Sequence, residues 1–395
     1  MRMFKRFHRI AIALLLLQFI APANATEVPA TFNFTGAGYG HGVGMSQIGA
    51  KARAVAGESA TAILKYYYKN VEVVPVPDTA TIRVNIGHAL KSVTFTTTST
   101  GTTLQLFSGD ALVATAANKK KLTLNISADL KTIQGYNASL LTLKWVGGAV
   151  PVVSVTKLGT TERFRYGHIN IRVVKGALEV TTSLALHDEY LLGISEVSSS
   201  WPTAILEAQT IASRSYALSK MGNIKASCDC HLYSHIADQN FVGYAKEGEA
   251  RFGKIWREAV LRTTVDSSTG LAILSGGKPI QAYFFSSSGG ATQTTADAWG
   301  GFTAYTQSVP DSASVDVALN PRFASWKAST TQALVAAAFG LPNIATLEVV
   351  SRNSAGAVTW IKGTSSEGVS QIVRGDTFRS RAKLPSPWFT LVANN

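Results

Sequence analysis

Glu196 has the strongest chemical case of any residue in this sequence. It sits in "GISEVSSSWP", six residues before Pro202, among Ile194, Val197, Trp201 and a run of serines. No Lys or Arg falls within ten residues on either side. A carboxyl in apolar, aromatic surroundings keeps its proton towards neutral pH and can serve as a general acid. The N-terminus of a following helix pulls the other way, since it favours the carboxylate. A capping or surface glutamate is the plainer reading of the same residue, and burial decides between the two.

Three further constellations compete with it. In "QAYFFSSSGGATQTT" a strand ends in Ser286-Ser287-Ser288 and Gly289-Gly290 follows. A nucleophile elbow needs glycine two residues before its serine, and Ser288 has Ser286 there. With no acid and histidine in triad order, a hydroxyl-rich turn facing a polar ligand is expected instead. "CDCHLYSH" offers Cys228, Cys230, His231 and His235, the ligand types of tetrahedral zinc. Its C-x-C-H spacing is tighter than usual, and in an exported chain a Cys228–Cys230 disulfide or two free thiols is the alternative. "GAGYGHGVGMSQIGAKA", Gly36 to Ala52, fails both the G-x-G-x-x-G and the G-K-[ST] patterns, so nucleotide binding is excluded. His41 between glycines fits either a close approach to a ligand or a packed turn.

These residues must be positioned by recognisable elements. Apolar positions from Ile48 to Tyr67 recur at helical spacing between about Met45 and Lys69, with a break at Gly57. Residues 76–185 turn into short alternating segments such as "TATIRVNI", "SVTFTTTST" and "LLTLKWV", separated by Gly, Asn and Asp turns. The longest predicted helix follows Pro202 at its first turn, takes Ser200 as N-cap, and runs to Gly222. Further helices are expected near 248–262 and 331–339, and a closing strand at "PWFTLVA". The pattern is α+β, a mixed α/β core with an inserted β-rich module.

Arg2, Lys5, Arg6 and Arg9, an apolar run from Ile10 to Ala21 and "ANA" at 23–25 read as a signal peptide. The run is short for a membrane span, which needs about 20 residues. Those four cations are the only charged residues of 1–25, so its removal lowers the net charge from +13 to +9. A basic exported protein is drawn to anionic surfaces such as teichoic acids, peptidoglycan carboxylates and lipid headgroups. No Lys/Arg-rich run interleaves with aromatics, which argues against nucleic acid. With two cysteines there is no disulfide framework, and the core must hold the fold.

The stretches "HDEYLLGISEVSSSWPTAILEAQTIASRSYAL", "CDCHLY…FVGY", "GKPIQAYFFSSSGGATQTTADAWGG" and "GYGHGVGMSQIGAKARAVAGESATAILKYYY" resemble the stage II sporulation protein D/LytB family of peptidoglycan lytic transglycosylases. They cover about half the chain, and 76–185 lies outside them. The resemblance implies that Glu196 is the catalytic acid/base. It places His41, Gln47, Arg214, Tyr283, Ser287 and Ser288 along a glycan groove, with Tyr39 and Trp299 free to stack on sugars. Zinc occurs near the Cys/His segment in some relatives, which makes Cys228, Cys230 and His231 candidate ligands. His231 stands where glutamine is common, and no cofactor is required for the reaction. The implied organisation is a signal peptide (1–25), a Gly-rich segment and helix belonging to the core (26–75), the β-rich module (76–185), the main catalytic region (186–310) and a C-terminal α/β part (311–395).

One departure carries a structural expectation. In many relatives the GHGVGMSQ-like stretch follows an "FR…LPS.WF" strand; here that strand closes the sequence at Thr377 to Val392, and the Gly-rich stretch lies near its start. Such a circular permutation requires Phe32 to Thr35 to lie beside Trp388 to Val392, delivering His41 towards Glu196. The matched motifs offer one strong carboxyl rather than the pair typical of hydrolases, which suits a lytic transglycosylase acting on glycan stripped of stem peptides. The implied partners are peptidoglycan strands and a cell-wall amidase acting first, at the cell wall or the outer face of the cytoplasmic membrane. The rival of a different class is a non-catalytic wall-binding protein or amidase modifier.

Overall fold

A computed structural model describes residues 28–392. The signal-peptide segment 1–25 lies outside the described residues.

Alternation becomes sheet through most of residues 72–185. In Ser92–Thr97 the residues Val93, Phe95 and Thr97 point inward while their neighbours stay partly exposed. That strand belongs to a four-stranded sheet, packed beside a seven-stranded one whose centre is Thr81–Leu90, Ala177–Ala185 and His168–Val174. Leu232–Tyr233 adds to the edge of Thr81–Leu90 in parallel, so the segment after the cysteines completes the larger sheet. One apolar core runs from Phe95, Leu104 and Leu143 through Ile82 and Val84 to Leu186, Tyr190 and Trp256. The β-rich segment therefore shares its interior with the Glu196 region.

The helical segment near the start of the described chain divides at Gly57 into α1 (Gln47–Val55) and α2 (Ala60–Tyr67), each opened by a serine that accepts from a backbone N–H. The central helix α3 (Thr203–Lys220) has buried residues on every side. Ile205, Ala208, Ile211 and Ala212 join α2 in one core, while Leu206 and Ala217 join the sheet core. Its N-cap position is Pro202, which has no capping side chain. Ser200, expected to cap, pairs its hydroxyl with Ser198 at 2.8 Å instead. A short α4 (Tyr244–Glu247), not legible from periodicity, precedes α5 (Gly253–Arg262).

The two ends of the described chain meet. Strand Thr31–Gly36 lies between Trp326–Thr331 and Phe389–Val392 and is antiparallel to both, with Phe34 opposite Leu391 and Thr35 opposite Thr390. This is the adjacency that the permuted motif order requires. Phe34 meets Phe389 edge-on at 5.6 Å and anchors a third core with Phe378 and Phe339. The Gly-rich loop then crosses to the rest of the molecule. Tyr39 bridges Ser287, and Met45–Ser46 pairs in parallel with Phe284–Phe285.

Gly44 shows why that loop needs glycine. Its φ is +78°, and a Cβ there would sit 2.1 Å from the Tyr283 carbonyl oxygen. Gly44→Ala is expected to cost about 1–3 kcal/mol from backbone strain alone, seen as a fall of several degrees in Tm. An unchanged melting curve would show that the loop relaxes freely.

Candidate functional site

Glu196 is held by a small backbone ladder between two loops. Ser195 N–H donates to Asn240 C=O at 2.8 Å, Val242 N–H donates to Gly193 C=O at 2.8 Å, and Ile194 bridges Phe241. Gly193 permits this approach, because a Cβ there would lie 2.3 Å from the Phe241 ring. Asn240 then fixes the acid twice over. Its backbone N–H donates to Glu196 Oε1 at 2.6 Å, and its Nδ2 donates to Ser195 C=O at 2.8 Å. From the other side, Gln47 Nε2 donates to the Glu196 carbonyl at 3.3 Å and to Gln209 Oε1 of α3 at 3.2 Å. The catalytic candidate is thus tied to the Gly-rich segment through Gln47.

The carboxyl opens on a cleft of about 600 Å³, whose walls include Ser199, Val242, Lys246, Glu249 and Phe252. Burial is the largest influence on it and pushes its pKa up to about 6, against the Asn240 N–H and the Lys246 charge. Lys246 is the residue that sequence reasoning missed. It comes from α4, fifty positions along the chain, so the empty neighbourhood of Glu196 in sequence is not empty in space. Its Nζ donates to Val197 C=O at 2.6 Å and stands 4.8 Å from the centre of the Trp256 ring. Burial pushes the ammonium down to about 8, while Glu249 and Glu196 hold it up.

His41 belongs to a second cluster. Its ring lies 5.2 Å from Trp299 and 6.3 Å from Tyr283, and Tyr283 and Trp299 are 4.9 Å apart. Nδ1 accepts the Val43 N–H at 3.1 Å, which leaves the ring proton on Nε2, and burial pushes the imidazole down to about 4. It is neutral at physiological pH. The structure places the imidazole among aromatic neighbours, while the direct contact of the Gly-rich segment with Glu196 is made by Gln47. Trp299 is 38% exposed and Tyr39 48%, so aromatic faces remain open on this side of the molecule.

Residues 175–269 match the family model of the stage II sporulation protein, SpoIID. This segment is similar to the SpoIID family. The match covers about a quarter of the chain and points to a sporulation- or cell-wall-related role for that segment. Neither the curated proteins nor the solved structures gave a match. Among the described residues no helix is long and apolar enough to cross a membrane.

The matched segment contains Glu196, Lys246, Arg214 and both cysteines, whereas His41, Gln47, Tyr283, Ser287 and Ser288 reach it from outside. Arg214 does not line a groove, and that expectation is corrected. It is wholly buried; Nε donates to Asp78 Oδ2 at 2.8 Å, and Nη1 donates to Thr263 Oγ1 and the Leu271 carbonyl. His187 Nδ1 lies 2.5 Å from the other Asp78 oxygen. Ser287 and Ser288 are likewise buried. Ser288 Oγ donates to Asp311 Oδ2 at 2.6 Å, and Ser287 offers its backbone to Tyr39. Both frame the Gly-rich loop instead of facing a groove. Tyr283 is part-exposed beside Trp299, and Gln47 is buried behind Glu196.

In the Cys/His segment the structure adopts the disulfide alternative. Cys228 and Cys230 are joined to each other in a disulfide, which removes the thiolates a metal would need. His231 Nδ1 accepts the Arg83 N–H at 2.9 Å. Among the described residues no group of three or more His, Cys, Asp or Glu is placed to hold a metal ion. Cys228, Cys230 and His231 instead pin the loop to the edge of the seven-stranded sheet.

Proposed function

We propose that the Glu196 cleft is the active site of a peptidoglycan lytic transglycosylase. The observation that carries this reading is a carboxyl pushed up to about 6 at the wall of a cleft, held by the Asn240 N–H and open to a ligand. The protonated acid donates to the oxygen of the bond between N-acetylmuramic acid and N-acetylglucosamine. The C1–O bond breaks and N-acetylglucosamine leaves with that proton on its 4-hydroxyl. The carboxylate then takes the proton of the muramoyl C6 hydroxyl as that oxygen bonds to C1. A 1,6-anhydro ring closes, no water is consumed, and Glu196 returns to its protonated form.

Glu249 supports a second reading. It is the other carboxyl of the cleft, exposed at its rim, and a hydrolase would use such a partner to activate water. The products decide. Mass spectrometry of peptide-free glycan digested by the protein is expected to show anhydro-muramoyl ends, one water lighter than reducing ends. Reducing ends alone would replace transglycosylation with hydrolysis. No cleavage alongside retained wall binding would point to the amidase-modifier role.

A further inference from the structure

Lys246 is a buried ammonium in no direct ion pair, with Glu249 and Glu196 favouring its charge only at longer range. Among the described residues the lysines in ion pairs are Lys157, Lys225 and Lys254. Lys246, 6% exposed, has the Val197 carbonyl and the Trp256 face as its direct contacts. A cation withdrawn from water and only partly balanced by distant carboxylates is costly, and an anionic ligand entering beside it would offset that cost. A second, independent observation lies on the same wall. Ser199 is 3% exposed and lines the cleft, yet its Oγ has no hydrogen-bond partner. A buried hydroxyl left unmade is a donor waiting for an acceptor. Glu249 on the rim disfavours an anion there and favours a ligand whose negative charge sits deep, away from the mouth.

We infer that Lys246 and Ser199 form a subsite for the carboxylate of a sugar acid, and that its occupant is the free lactyl group of N-acetylmuramic acid. This rests on the proposed reaction for its choice of sugar. The lactyl ether leaves the muramoyl ring at C3, and the bond to be broken lies at C1 of the same ring. One sugar can therefore present a carboxylate to Lys246 and its anomeric centre to Glu196. When a stem peptide is attached, that carboxylate is an amide and carries no charge. Selection for peptide-free glycan then follows from electrostatics at one side chain.

The test is binding of N-acetylmuramic acid, its lactyl methyl ester and N-acetylglucosamine to the folded protein, by calorimetric or NMR titration. The acid is expected to bind roughly tenfold or more tightly than the ester, as a charge-assisted hydrogen bond supplies. Lys246→Gln is expected to reduce that preference to about one, and Ser199→Ala to reduce it in part. Equal binding of acid and ester to the wild type overturns the subsite, as does a preference that survives Lys246→Gln. If Lys246→Gln does not fold, the wild-type comparison and Ser199→Ala decide alone. Glycan cleavage without acid preference removes the subsite and leaves the proposed reaction standing. Acid preference without cleavage does the reverse.

Discussion

Glu196→Gln leaves the protein folded and lowers glycan cleavage by about 10²–10⁴-fold, the range of a lost general acid. The amide has the shape of the acid and keeps an oxygen for the Asn240 N–H, which lies 2.6 Å from Oε1 in the wild type. What it lacks is a proton to give. The wild-type pH profile carries the same signature. With the carboxyl pushed up to about 6, kcat/KM is level at lower pH and falls about tenfold per unit above that value. Stability moves in step. The folded state binds the Glu196 proton more tightly than the unfolded chain, so its contribution is present at low pH and is lost as pH rises from about 4.5 through about 6. Glu196→Gln is therefore expected to match the wild type in stability at pH 4 and exceed it at pH 7, by on the order of 1–2 kcal/mol, read from denaturant unfolding. Anhydro products at the wild-type rate from this variant, or a flat profile across pH 6, would remove Glu196 from the chemistry.

Arg214→Ala is expected to act on the fold. The guanidinium is fully buried and its charge is matched by Asp78, which His187 also contacts. Removing one partner strands a buried carboxylate, at about 3–5 kcal/mol. For a protein whose whole stability is about 5–15 kcal/mol, this means poor soluble yield or a Tm lower by roughly 10 °C. Arg214→Lys keeps the charge but loses the fork that also reaches Thr263 and Leu271, so it recovers only part of the loss. A residue of a glycan groove would give the opposite pattern, a raised KM at unchanged Tm. Seeing that pattern would return Arg214 to the substrate.

Gln47 and Lys246 mark how far function was readable before the fold. The motif containing Gln47 was legible, and so was the pairing of the strand before it with Phe389–Val392, which carries the motif towards Glu196. Which side chain makes the reach was not. His41 had the more suggestive chemistry, yet Gln47 touches the Glu196 backbone while His41 turns to Trp299.

The sequence by itself determined the local elements: the division of α1 from α2 at Gly57, the alternating strands of 81–185, and an acid flanked by apolar residues ahead of α3. These follow from side-chain periodicity and backbone conformation within a few residues, which neighbours along the chain dictate. Only the tertiary structure decided that a lysine fifty residues away approaches that acid. It alone showed that Arg214 is sealed inside with Asp78, and that the two cysteines are spent on each other. Charge pairing and burial depend on which surfaces meet when the sheets and α3 share one core. Those meetings join residues that no local pattern links.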